Sequence, residues 1–119
     1  MDPVILVGLG GAAGSLLRFV LSRIQPYRGI PSGTLAVNIA GSFGLALLVF
    51  SHADGDLTAL IGTGMLGGFT TFSTFSYETF RMLEDHDYRT LLTYTAVSIG
   101  GGLLAVTAGY LACGGGIAL

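Results

Sequence analysis

Between Gly62 and Glu78 the chain reads Gly-Thr-Gly-Met-Leu-Gly-Gly-Phe-Thr-Thr-Phe-Ser-Thr-Phe-Ser-Tyr-Glu, and here the side chains able to do chemistry are densest. Five hydroxyls, on Thr70, Thr71, Ser73, Thr74 and Ser76, fall within seven residues. A hydroxyl can donate to an anion, and the edge of a phenyl ring carries the positive part of its quadrupole. Phe72 and Phe75 are three residues apart, so a helix would set both rings on one face. Together these groups could line an anion path without a fixed positive charge. In the ordinary alternative the hydroxyls bond to their own helix carbonyls and the rings face lipid. Hydroxyl density beside a glycine cluster favours the path.

The same stretch is a poor helix. Glycine costs about 1 kcal/mol relative to alanine inside a helix, and threonine is also unfavourable. A break around Gly67–Ser73 is therefore expected. Irregular backbone at membrane depth survives only where protein buries it or a cavity hydrates it, and carbonyls freed there can coordinate a cation. Elsewhere, Asn38 needs a partner, because an amide facing lipid is costly; an interhelical hydrogen bond and a conduction role are both open to it. Thr34, Tyr94 and Ser98 share that ambiguity. Arg18 can snorkel to the interface, and an arginine is the expected partner of Glu78, since the chain has no lysine. His52 and His86 fall in connections and predict no metal cluster. No nucleophile and base pair is apparent, so an enzyme is not expected. Gly8-Leu9-Gly10-Gly11 lacks the preceding strand and the acidic residue about 20 positions on that a nucleotide-binding loop requires.

The elements that must position these residues follow from composition. Of 119 residues, 51% are hydrophobic and 10% charged, against about a quarter charged in a soluble domain. The mean hydropathy is +0.75. A net charge of -2 offers nothing to a phosphate backbone, and the single cysteine, Cys113, cannot form an internal disulfide. An integral membrane protein remains. A spanning helix needs about 20 apolar residues, and four stretches qualify. The expected fold is all-α, a single membrane domain over residues 1–119. It is a four-helix bundle with helices at about 3–22, 32–51, 57–83 and 90–112, the third broken at mid-membrane. The first span lacks a basic region ahead of its apolar core, so it is read as a retained helix rather than a signal peptide.

Arg18, Arg23, Arg28, Arg81 and Arg89 all belong to the side holding the first and third connections. The positive-inside rule makes that side cytoplasmic and both termini extracytoplasmic in the cell membrane. Small residues four apart predict close helix contacts: Gly10 and Gly14; Ala36, Ala40 and Gly44; Gly101, Ala105 and Gly109. Four such helices barely enclose a polar path, which predicts an oligomer, most simply a dimer.

Three segments resemble the CrcB/Fluc fluoride channel family. They are Gly10-Gly11-Ala12-Ala13-Gly14-Ser15-Leu16-Leu17-Arg18, Gly33-Thr34-Leu35-Ala36-Val37-Asn38-Ile39-Ala40-Gly41-Ser42-Phe43, and the run from Gly67 to Glu78. The third is highly specific. The resemblance implies a passive fluoride channel that relieves fluoride toxicity, built as an antiparallel dimer with two pores lined by both chains. It also implies a structural Na+ on the dimer axis, held by the backbone carbonyls of Gly67 and Thr70. By motif position Asn38, Phe72 and Phe75 match pore residues, and Thr74, Tyr94 and Ser98 match polar-track positions. Arg18, Thr34, Ser73 and Glu78 are expected beside the pore. One turn after Ser98, where a second serine would be expected, stands Gly102; the track is then shorter or completed by the partner.

The one-sided arginines set this chain apart from a subunit that inserts both ways, and they point to an oppositely oriented homologue as partner, a heterodimer. Two other classes fit a chain of this size. One is a small four-helix multidrug or cation exporter, which needs a titratable carboxylate in the membrane that the first span lacks. The other is a non-conducting structural partner subunit.

Overall fold

The computed structural model describes residues 2–114, and among these it is all-helical. Helix α1 covers Pro3–Leu21 and α2 covers Ser32–Phe50. A short turn, α3 (Gly55–Leu57), runs into a π-helical segment at Thr58–Leu66 and then a second short turn, α4 (Gly67–Phe69). Helix α5 spans Phe72–Glu84, and α6 spans Tyr88–Ala112. Three helices, α1, α2 and α6, are each long and apolar enough to cross a membrane. The chain is a multi-pass membrane protein.

Aspartates decide where several elements begin. Asp2 accepts from the Val4 N–H at 2.9 Å, with Pro3 opening α1. Asp54 accepts from the Leu57 N–H at 2.8 Å. Asp87 accepts from the Thr90 N–H at 3.3 Å, so α6 starts at Tyr88 rather than at residue 90. Each satisfies a donor that a helix start leaves free. The helices after which His52 and His86 stand end alike. Both histidines are left-handed, at φ 58° and 56°, and the following N–H reaches back to Leu48 or Met82, the Schellman closure.

The third helix, expected at 57–83 with a break at mid-membrane, comes as several pieces: α3, the π segment, α4 and α5. In the π segment hydrogen bonds reach one residue further than in an α-helix; the Gly67 N–H, for instance, meets the Gly62 carbonyl. Helix α1 lies directly against this widened backbone. A Cβ on Gly10 would collide with the Leu60 carbonyl, and one on Gly14 with the Met65 carbonyl. A Cβ on Gly68 would come within 2.5 Å of the Gly11 carbonyl. Only glycine permits that approach.

On the other side α2 packs against α6. Gly109 fits against Ala46 and Gly101 against Ile39, each within 2.6 Å of where a Cβ would stand, and Ala105 is buried between them in sequence. The small-residue reading of α6 therefore matches its packing. That of α2 does so in part: Gly44 meets Leu66, whereas Ala40 is exposed, and Gly33, Gly41 and Ala46 make the close contacts. Large apolar side chains such as Val4, Leu16, Leu92 and Leu104 point outward, the arrangement expected of lipid-facing helices and not of a soluble surface.

Candidate functional site

Thr70 and Thr71 interrupt the helical path between α4 and α5. Both have extended backbone, with φ/ψ of -82°/158° and -147°/118°. The interruption is shorter than the Gly67–Ser73 region expected, because Gly67–Phe69 still forms a turn. An extended residue between helices loses its ladder partners, and here Asn38 replaces them. Its Nδ2 donates to the Thr71 carbonyl at 2.9 Å, while the Thr71 N–H donates to its Oδ1 at 2.8 Å. This two-point match, made from α2, accounts for an amide among apolar neighbours. Of the two roles open to Asn38, the interhelical bond is present in the structure.

Thr71 also starts α5. Its Oγ1 accepts from the Thr74 N–H at 3.1 Å and lies within 3.3 Å of the Ser73 and Thr74 hydroxyls. Sequence reading counted Thr71 among the hydroxyls without assigning it a site. A threonine just before a helical run is a cap signal, and that signal was present.

A second polar cluster stands further along α5. Glu78 accepts from the Thr34 hydroxyl at 3.1 Å and from the Tyr94 hydroxyl at 2.8 Å. This corrects the expected arginine partner. Among the described residues the one ion pair is Arg81 with Glu84 at 4.0 Å, and both are exposed. Position along the helix explains the difference: Arg81 is three residues beyond Glu78 but bonds to the Tyr77 hydroxyl at 3.1 Å, leaving the carboxylate to α2 and α6. Tyr94 is fully buried, and its ring stacks at 5.2 Å on Phe75, which lies 6.2 Å from Phe72.

The break separates two cavities, and Thr71 lines both. One, of about 490 Å³, brings together Asn38, Gly67, Thr70, Phe72, Phe75 and Ser98. Phe72 is 79% exposed. The Ser98 hydroxyl is buried and has no hydrogen-bond partner among the described residues. A polar atom so placed is costly unless something else bonds to it. The second cavity, of about 270 Å³, gathers Arg18, Thr34, Ser73 and Thr74, with Ser15 from α1 and Ser22 just after it. Those two serines were not singled out from sequence; their spacing alone carried no signal. Arg18 directs Nη1 toward the Thr70 carbonyl at 3.5 Å. Glu78 and Tyr94 line neither cavity; the Tyr94 ring packs on Phe75, and Glu78 holds the Tyr94 hydroxyl.

Geometry of this kind can present hydroxyl donors and ring edges to a small anion. The comparisons with known proteins agree with that chemistry. The family model described as CrcB-like protein, Camphor Resistance (CrcB), matches residues 5–110. A protein of Methanosarcina acetivorans named fluoride-specific ion channel FluC 3 is 45% identical, covering 90% of this chain and 97% of its own. Fluoride-specific ion channel FluC 2 of Moorella thermoacetica is 46% identical, covering 92% and 95%. Haloarcula marismortui has a fluoride-specific ion channel FluC 2 that is 48% identical over 71% of each chain. With break, phenyl pair and polar partners in place along nearly its whole matched length, the chain belongs to the CrcB-like family.

Proposed function

We propose that this chain is one subunit of a fluoride-selective channel through which fluoride leaves the cell passively, down its gradient. The observation that carries the reading is the orphaned Ser98 hydroxyl in a cavity walled by Phe72 and Phe75. A buried hydroxyl and two ring edges are what a small, desolvated anion needs. The names of the relatives point the same way.

The working unit in this proposal is an antiparallel pair. The described bundle measures 47 × 34 × 19 Å, and 19 Å is roughly two helix diameters. A slab that thin cannot surround a path, and Phe72 stands open on its face. A second copy or homologue would close it and set the break at mid-membrane. The arginine bias favours termini outside the cytoplasm and a distinct, oppositely inserted homologue as partner. Numbered names among the relatives fit a family with several members per genome.

The carbonyls of Gly67 and Thr70 suit a structural Na+ at that interface. Gly67 would ordinarily accept from the Thr71 N–H, but that donor turns to Asn38. The Thr70 oxygen meets only Arg18, at the outer limit of hydrogen bonding. Neutral oxygens suit a hard cation, and two from each subunit would make a set of four. When bound, sodium would offset the dipoles of these carbonyls.

Reconstitution into liposomes, of the chain alone and together with an oppositely inserted homologue, tests the reading. Fluoride efflux far above chloride efflux is expected, and Phe75→Ile should reduce it at least tenfold. Wild-type liposomes that pass organic cations against a proton gradient would replace this reading with an exporter. Liposomes that pass neither would leave a structural subunit.

A further inference from the structure

We infer that Ser42 supplies a second anion-binding hydroxyl to the cavity of Ser98, from the opposite helix. The inference rests on the channel reading above. Helix α6 has no hydroxyl one turn after Ser98, because Gly102 stands there. In the structure the empty space is met from α2. A Cβ built on Gly102 would find the Ser42 Oγ at 3.8 Å, ordinary contact distance, with nothing nearer. Ser42 and Ser98 line the same cavity with Phe72 and Phe75.

The hydroxyls of this cavity differ in what they can give. Thr70 donates to the Leu66 carbonyl at 2.9 Å, and Thr71 is engaged in capping α5. Asn38 commits both ends of its amide group to Thr71. Ser42 donates to the Asn38 carbonyl at 2.8 Å. That carbonyl is the i−4 acceptor of its own helix, already met by a backbone N–H, so the hydroxyl can rotate away without orphaning it. Ser98 has no partner to leave. Thr63, on the π segment, also lines the cavity and makes no side-chain hydrogen bond among the described residues. The donors available to an incoming anion are therefore Ser42 from α2, Ser98 from α6 and Thr63; of these, Ser42 is the one that meets the space left by Gly102. Gly102 matters because it leaves the Ser42 hydroxyl uncovered on the α6 side.

The test compares fluoride and chloride efflux from liposomes holding wild-type chain, Ser42→Ala, Gly102→Ser and the double variant. Ser42→Ala should lower fluoride efflux about fivefold to tenfold with an unchanged melting temperature. Adding Gly102→Ser to Ser42→Ala should recover at least half of the loss, since a hydroxyl then enters the same space from α6. Fluoride efflux by Ser42→Ala within twofold of wild type overturns the role of Ser42 alone. A loss that Gly102→Ser does not relieve, or that tracks a lowered melting temperature, also overturns it. A wild-type chain that passes no fluoride either alone or co-reconstituted with its oppositely inserted homologue overturns this inference together with the channel reading.

Discussion

The two flanks of the third span are held by opposite means. Against α1 the π segment lies backbone to backbone: Gly10 faces the Leu60 carbonyl and Gly14 the Met65 carbonyl. Against α2 and α6 the break and α5 are held by side-chain hydrogen bonds from Asn38, Thr34 and Tyr94. In lipid there is no hydrophobic drive between helices, so association must come from close packing or from polar bonds. This molecule uses the first where the chain only has to stay together. It uses the second where single groups must be aimed. Glycine contact is insensitive to rotation by a few degrees, whereas a two-point amide match is not.

Substitutions can break that contrast, starting with the largest effect. Gly14→Val should abolish the folded chain in detergent. The branched side chain would be driven into the backbone at Met65, beyond the roughly 1–3 kcal/mol of ordinary overpacking. Gly8, with nothing within 4 Å of its missing Cβ, is the control. Gly8→Ala should raise the melting temperature slightly, through about 1 kcal/mol of helix propensity. If both variants behave alike, direct backbone contact does not organise that flank.

Asn38→Ala should come next, costing about 2–3 kcal/mol through the Thr71 N–H and carbonyl left unpaired. Fluoride efflux should fall further than the melting temperature alone accounts for, because the phenyl pair follows the break. An unchanged efflux would show that the break keeps its shape without the amide. Tyr94→Phe is the mildest of the three. It keeps the ring on Phe75 and removes one bond to Glu78, worth about 1 kcal/mol between membrane helices. Thermal melting read beside fluoride efflux separates these cases. A Tyr94→Phe effect larger than that of Asn38→Ala would reverse the ranking of the two polar clusters.

Much of this was legible in residue types. Charge gaps placed the spans of α1 and α2 to within a residue at either end, because a formal charge is expensive in hydrocarbon whatever surrounds it. The interruption was legible as a low-propensity run, though only two residues of it, Thr70 and Thr71, are extended. The π segment was not legible: α- and π-helices use the same residue types and differ by one residue of hydrogen-bond reach. Nor was the partner of Glu78. Charge arithmetic favoured an arginine, but two hydroxyls from other helices reach the carboxylate first.

By itself, then, the sequence determined what is local or additive: membrane insertion, the approximate spans, the glycine faces and the family motif. Tertiary structure alone decided which polar groups meet. It gave Asn38 to Thr71, Glu78 to Thr34 and Tyr94, and left Ser98 unpaired beside the phenyl rings. Hydrogen bonds between residues 16 to 44 positions apart depend on how helices rotate and cross, and no single helix carries that information.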